Sequence, residues 1–385
     1  MSYLYWKSKR GKLDQNILFT LIVIFILSWI FQAVYYLYIF GSFNRFKPGE
    51  PGTSKLPPLS VIICANNEAD NLSTFLPSVL EQDYPEFQVV VVNDCSTDDT
   101  ELVLAGLKEK YKNLYYTSIP IDKKFFHGKK LALTIGIKAA KYEHLVMTDA
   151  DCKPSSGKWL RLMAGKFSEK KKIVLGYGRY EKTGGLLNKL IRYETFWNAV
   201  QYFGFALSVR PFMAVGRNLA YTKQLFENSS QFSNNLMIAS GDDDLFIVET
   251  ADKNNTALCF APDSHTVSVP LNSFREWFSQ KSRHLTSSVR YPFAIRSLIF
   301  FEFLTRQILW LFTFCSIFFS IFAIIITALF SLLLLIKIVV LRKAGKKLLE
   351  KQLFWALLLF DWLLPVIMAI LWINNLLRPG RIKWK

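Results

Sequence analysis

Asp149 and Asp151 stand one residue apart, across Ala150, where the apolar run HLVMT (144–148) ends. In an extended stretch, side chains at i and i+2 leave the same face, so two such carboxylates can converge on one cation. Hard oxygen ligands suit Mg2+ or Mn2+, which keep open positions for phosphate oxygens. The competing reading is a polar turn closed by Pro154. Spacing alone does not separate the two. Company does: Asn66, Asn67 and Glu68 follow the apolar run LSVIIC (59–64), and Asn93 and Asp94 follow FQVVVV (87–92).

These runs must be positioned by something, and the intervening residues say what. Ala69, Leu72, Phe75, Leu76, Val79 and Leu80 recur at helical spacing. A second helix is expected near STDDTELVLAGL, with Ser96 or Thr97 as cap and acids in its first turn. Residues 129–140 give a third. Short, wholly apolar strands alternating with helices predict an α/β fold with a parallel, helix-covered sheet. Ligands of such sheets bind beyond the carboxyl ends of the strands. Three successive strand ends bearing carboxylates or amides on one rim favour the cation over the turn.

The rest of the composition points to a bilayer. The chain has 385 residues, 51% hydrophobic and 15% aromatic. The excess lies in three blocks, 17–40, 307–341 and 352–377. The first carries no charge and can cross about 30 Å of hydrocarbon. It is longer than a secretory h-region, and no small-residue cleavage pattern follows, so a retained anchor is expected. As one helix, 307–341 would run about 50 Å, too long for one upright span. Two short spans, or one span and an interfacial helix, are the alternatives; four spans in all is the expectation. The expected organisation is a tail (1–16), a span (17–40), and a linker (41–57) marked by Pro48, Gly49, Pro51 and Gly52. A globular domain (58–292) follows, then a membrane region (293–385) with two or three spans.

A formal charge of +17 raises the question of nucleic acid. No nucleic-acid-binding motif accompanies it. Lys7, Lys9, Arg10 and Lys12 precede the first apolar block, and Arg342, Lys343, Lys346 and Lys347 precede the last. Contact with anionic membrane lipids explains that placement. Five cysteines without a CxxC imply neither a zinc site nor a disulfide framework.

Over roughly residues 58–290 the chain resembles the family 2 glycosyltransferases. The motifs are SVIICANNEADNL, VVVVNDCSTDDT, HGKKLALTIGIKAA running into LVMTDADCKP, AVGRNLAY (214–221), GDDDLF (241–246) and QKSRH (280–284). The resemblance implies a GT-A fold, a Rossmann-like mixed and mainly parallel sheet, of a membrane-anchored subgroup related to polysaccharide synthases. It implies a nucleotide-sugar donor and Mg2+ or Mn2+ as cofactor. Asp94 would meet the uracil ring, with Asn67 and Glu68 near the nucleoside and Lys129 beside the nucleotide. Asp151 would ligate the metal, and Asp149 the sugar, ribose or metal. Asp243 would be the general base, taking the proton of an acceptor hydroxyl in an inverting, in-line displacement. Crowding among Asp242, Asp243 and Asp244 should raise at least one pKa, although the run also reads as a helix N-terminus. Asn218 and Asp242 fall in acceptor-side motifs. Gln280 and Arg283 match the QxxRW motif, with Arg283 near the leaving diphosphate, and His284 stands where the family has Trp.

The neighbours of these residues are given blander roles. Asp98 is expected to cap a helix, Lys130 to be solvated, and His127 and His265 to lie in solvated loops unless they join a metal or phosphate site. Phe274, Trp277, Phe278 and Lys281 share one helical face, turned either to the membrane interface or to the core. The implied acceptor is lipid-linked or membrane-proximal, with the active site cytosolic. Processive synthesis of a β-polysaccharide is the alternative, weakened by His284 and the modest span count. An inactive nucleotide-sugar-binding scaffold is weakened by the intact acidic motifs. A transporter is disfavoured, because beyond Lys337 and Asp361 the apolar blocks are almost free of ionisable groups.

Overall fold

A strand buried on both faces needs partners on both edges, and the run at 59–65 has them. Strand β1 (Leu59–Ala65) pairs in parallel with β2 (Phe87–Asp94) on one side and β4 (His144–Met147) on the other. The computed structural model describes residues 2–47, 56–120, 128–233, 238, 240–316 and 320–377, with side chains described from residue 16 and not for 320–322. His127, the linker residues 48–55, and the side chains of Lys7, Lys9, Arg10 and Lys12 lie outside the described residues.

Strand β3 (Leu114–Ile119) extends the sheet beyond β2, again in parallel. Beyond β4 the chain reverses. Strand β8 (Leu219–Thr222) runs antiparallel to β4 and to β6 (Ile173–Leu175), and β9 (Thr256–Leu258) closes the far edge beside β6. The order is β3-β2-β1-β4-β8-β6-β9. It is a mixed, mainly parallel sheet, as the motifs imply. A second sheet pairs β5 (Cys152–Pro154), β10 (Thr266–Ser268) and β7 (Gly178–Tyr180). Asp149, Ala150 and Asp151 thus fill the step between β4 of one sheet and β5 of the other. That step is why the acids sit at a rim instead of inside a strand.

The helices fall in order between these strands. The first, α1 (Ser2–Val34), passes through a π-helical stretch (Tyr35–Phe40) into α2 (Gly41–Arg45). The helix therefore outlasts the apolar block, and the first residues of the expected linker are helical. Lys347 ends it by donating to the carbonyls of Phe43, Asn44 and Phe46. Then come α3 (Ala69–Leu80), α4 (Thr100–Lys110), α5 (Lys129–Ala139) and α6 (Trp159–Ala164). After them come α7 (Leu186–Ser208), α8 (Lys223–Glu227), α9 (Asp244–Thr250) and α10 (Phe274–Ser288). Three long apolar helices follow, α11 (Phe293–Ser316), α12 (Ser320–Lys347) and α13 (Leu357–Leu377).

Among the described residues four helical stretches are long and apolar enough to cross a membrane: Asn16–Arg45, Phe293–Ser316, Ala323–Lys347 and Leu357–Leu377. The 307–341 run divides between α11 and α12, in keeping with the two-span reading. However, α11 begins well before that run and brings Arg296, Glu302 and Arg306 with it.

Glu302, Arg306, Lys337 and Asp361, whose side chains are at most 2% exposed, make one network across three helices. Glu302 pairs with Arg306 one turn along, and Arg306 Nε lies 3.9 Å from Asp361. Lys337 Nζ is 3.0 Å from Asp361 Oδ1, and Trp310 Nε1 donates to Oδ2 at 3.0 Å. Gln32 on α1 donates to the Glu302 carbonyl at 2.8 Å.

Helix α7 joins the two halves of the molecule. Most of its residues are buried, including Trp197, Tyr202 and Phe203. One side faces the sheet, where Tyr202 donates to the Gly176 carbonyl at 2.7 Å. The other side meets the first membrane-length helix through Phe40–Trp197 and Phe43–Phe203 ring contacts. Gly204 makes the closest approach: a Cβ there would lie 2.5 Å from the Ile39 carbonyl oxygen.

Helix α10 settles the question of its aromatic face. Trp277 is fully buried and Lys281 pairs with buried Glu194 at 2.6 Å. That face is packed on protein, and only Phe274, 49% exposed, keeps an outward surface.

Candidate active site

Three strand ends and two helix starts meet at one narrow cleft. Its lining includes Cys64 at the end of β1, Thr148 and Asp149 after β4, Lys129 at the start of α5, and Gly216, Asp242 and Asp243. The floor is apolar, made by Ile62, Leu133, Met147 and Leu219. Lys129 bridges the two acidic segments, 2.9 Å from Asp149 and 3.1 Å from Asp242. That ion pair, despite the cost of burial, holds the Asp242 pKa below the ordinary carboxylate value. Asp242 is therefore a partner of Lys129 rather than a free acceptor-side acid.

Asp243 behaves differently because its neighbours do. Its Oδ2 accepts from the Gly216 amide and its Oδ1 from the Asp244 amide, both at 2.8 Å. It is at once the cap of α9 and a wall of the cleft, so the helix-terminus and cleft readings describe one residue. Burial, then the negative charge of Asp242, pushes its pKa up to about 6. Asp244 is turned away from the cleft, accepting from Tyr291 at 2.6 Å and Ser287 at 3.2 Å. Burial and the Asp243 charge hold its pKa well above the ordinary carboxylate value.

Asp149, Asp151 and Cys152 offer ligand atoms that lie within 4.8 Å of one another. The two carboxylates fit a hard divalent cation; the Cys152 thiol, kept protonated by burial and the Asp151 charge, donates to Asp151 at 3.2 Å instead. Burial, together with the Asp149 charge, raises the Asp151 pKa. Cys152 went unnoticed among scattered cysteines, although its place directly after the second acid was the available signal. No disulfide forms among the described residues.

The first two strand ends are tied to each other. Asn67, in a left-handed conformation (φ 55), accepts from the Thr97 amide at 2.8 Å. Its own amide meets Ser96 at 2.9 Å, and Glu68 N meets Thr100 at 2.9 Å. Asp98 bonds Thr100 and the Ala69 amide, capping two helices as expected. Asp94 is only 1% exposed, within electrostatic reach of Cys64, the thiol that also feels Lys129, Asp242 and Asp149.

Gln280 and Arg283, three residues apart, share a face of α10. Arg283 lies within electrostatic reach of Asp242 and Asp149. His284 lies on the same helix, its surface exposed but its imidazole set among packed neighbours. Its local enclosure and the cations Lys281, Arg283, Arg217 and Lys129 hold its pKa well below the usual imidazole value, leaving it neutral at pH 7.

Three expectations need correction. Lys130 is not solvated: it is 7% exposed and donates to the carbonyls of Ile238 and Ser240 at 2.7 and 2.8 Å. It anchors the segment that leads to Asp242. Asn218 is fully buried and spends its amide on Trp159, Tyr177 and Ser264, so it holds the turn after Gly216. His265 is neither solvated nor a ligand; it is fully buried, bonded to the Phe260 carbonyl at 3.0 Å and edge-on to Tyr177. Burial pushes its pKa down to about 4.

Comparison with known proteins bears on the family and the fold. Residues 60–227 match the family described as Glycosyl transferase family 2. A poly-beta-1,6-N-acetyl-D-glucosamine synthase of Staphylococcus epidermidis is 31% identical over 124 residues, 32% of this chain and 29% of that protein. The synthase of the same name from Staphylococcus aureus (strain MSSA476) is 29% identical over 126 residues, with the same coverage of 32% and 29%. The match thus spans less than a third of these relatives' length. A solved mannosyltransferase from Pyrobaculum calidifontis, in complex with GDP-Man and Mn2+, superposes with a TM-score of 0.54 at 18% identity. The superposition covers 86% of this chain and 98% of that one, and shows a shared fold. Residues 60–227 are therefore a glycosyl transferase family 2 domain on a GT-A fold, carried by a chain with four helices of membrane-spanning length.

Proposed function

We propose that the protein is an inverting, metal-dependent glycosyltransferase that moves a sugar from a UDP-linked donor to a lipid-linked or membrane-proximal acceptor. Its domain would face the cytosol, on the side of Arg342, Lys343, Lys346 and Lys347 at the end of α12. The observation that carries this reading is Asp243, fixed by two backbone amides in the cleft that also holds Asp149 and Lys129, with a pKa of about 6. A carboxylate so poised is mostly ionised at pH 7 yet more basic than an ordinary one, as a general base for a hydroxyl requires. Asp149 and Asp151 would hold Mg2+ or Mn2+; when bound, such an ion offsets the charge that develops on a departing diphosphate. Lys129 and Arg283 contribute fixed positive charge to the same region. Asp94, Asn67 and Glu68 would receive the nucleoside at the neighbouring strand ends.

The test is a screen of UDP- and GDP-sugars against the full-length protein, scoring nucleotide diphosphate release with and without Mn2+ or Mg2+. Metal-dependent release from a UDP-sugar is expected. Because the base acts ionised, the rate should fall as pH drops through about 6. No release from any donor would sink the enzyme reading; a flat profile from pH 5 to 8 would sink the role of Asp243.

Lys130 should matter through geometry alone. Lys130→Met frees the carbonyls of Ile238 and Ser240 and is expected to lower kcat on the order of 10–100-fold, as small misplacements of a reacting group do. The KM for donor should change little. An equal loss in donor binding would mean that Lys130 serves the nucleotide instead.

The names of the Staphylococcus relatives favour a second reading, processive synthesis of a β-linked polysaccharide. Product length in the same reactions separates the two. Long polymer in place of single-addition product would put processive synthesis first.

A further inference from the structure

Arg217 was not among the residues singled out in the sequence, yet its setting is unusual. Its main chain is fixed: Thr148 and Thr266 both donate to its carbonyl, at 3.0 and 2.9 Å. Its side chain passes over Gly178, where a Cβ would come within 2.9 Å of the Arg217 Cβ. The guanidinium then lies over the Tyr180 ring at 4.3 Å. Two strands of the small sheet and the turn after β4 thus build a seat for one cation. What the seat lacks is an anion. The guanidinium makes no hydrogen bond and joins no ion pair among the described residues, and its Nη1 is enclosed without a partner. A desolvated charge left this way is costly to the fold unless a ligand completes it.

The missing partner is indicated by what lies nearby. Asp149, Asp151 and Cys152 are within electrostatic reach of Arg217, but none approaches to ion-pair distance. Gly216, the preceding residue, has its Cβ position 3.2 Å from Lys129 Nζ and 3.9 Å from Asp149 Oδ1. An oxyanion between the guanidinium and a cation held by the acids would satisfy both. A planar fork suits a phosphoryl group, which it can bind through two parallel N–H donors. We propose that Arg217 is a diphosphate-binding residue, opposing the Asp149–Asp151 pair across the donor's phosphates. The proposal rests on the nucleotide-sugar reading above, but its test can fail separately.

The experiment is calorimetric titration of the full-length protein in detergent, with Mn2+ present, using inorganic pyrophosphate, UDP and UMP as probes. In Arg217→Met, which keeps the apolar stem over Tyr180, pyrophosphate and UDP affinity should fall at least about tenfold. UMP affinity should fall less. Thermal stability without ligand should hold or rise, since an uncompensated charge has been removed; a purely structural arginine predicts a fall. Arg217→Lys keeps the charge without the fork and should bind with intermediate affinity. Unchanged pyrophosphate and UDP binding in Arg217→Met overturns the proposal while the donor reading stands, as does a wild-type protein that binds UDP but no pyrophosphate. Arg217-dependent pyrophosphate binding without any UDP binding supports the anion site and sinks the UDP donor. If Arg217→Met melts lower, the lysine variant decides: full affinity there shows that charge alone suffices and overturns the fork-based assignment.

Discussion

Asp243→Asn is expected to cut transfer by about 10²–10⁴-fold, the usual contribution of a positioned acid or base. Metal-supported UDP binding should stay near the wild-type value, because Asp243 contacts the Gly216 and Asp244 amides and no candidate metal ligand. Two effects on stability oppose each other. A carboxyl whose folded pKa is raised to about 6 destabilises the fold in its ionised state, and the neutral amide removes that penalty. Asn, however, has one acceptor oxygen for two amide donors, so one donor loses its partner, at roughly 1–3 kcal/mol. The sum should leave the melting temperature within a few degrees of wild type while activity collapses. Normal transfer by this variant would remove Asp243 from the mechanism. A large drop in melting temperature would make its role chiefly that of a helix cap.

The second large effect concerns Gly204. An added Cβ would meet the Ile39 carbonyl oxygen at 2.5 Å and its carbon at 3.0 Å, so backbone would have to move. Gly204→Val should therefore destabilise by about 1–3 kcal/mol or more, as overpacking of a tight seam does. Alanine at Gly106 on α4 is the control, since nothing lies within 4 Å of its Cβ position. There the gain in helix propensity should stabilise by up to about 1 kcal/mol. Opposite signs for two glycines in helices, measured by thermal melts in detergent, would show that α7 and the first membrane-length helix are seated by contact. If Gly204→Val melts like wild type, the two helices are not locked together there.

Much of the frame was legible because its signals were local and long. Strands β1, β2 and β4 are continuous apolar runs, and α3 and α5 have clear periodicity. Strand β3 was missed: its burial is mixed, and LYYTSI carries no alternation of the expected kind. Strands β5, β7 and β10 have three residues each, too few to show any period. At the site, Asp149, Asp151, Asp242 and Asp243 were found through spacing and motif. Lys130 and Arg217 were not, because their roles come from long-range contacts. Lys130 reaches residues more than 100 positions away, and no sequence window announces that. His265 and Asn218 misled for the converse reason: a polar residue in a loop reads as available until its buried partners are seen.

The ionic network among α11, α12 and α13 bears on how the chain is made. Lys337 and Asp361 are 24 residues apart and neutralise each other. A charge at mid-helix costs about 2.5–3.5 kcal/mol to place in the bilayer by insertion scales, so each helix alone is a poor substrate for partitioning. Were α12 and α13 to cross a bilayer, they would enter it more readily as a hairpin, and Glu302 with Arg306 is already compensated one turn apart on α11. Biogenesis should then be concerted over this trio, and a nascent chain arrested before Asp361 would carry an orphan ammonium, the kind of defect that membrane quality control removes.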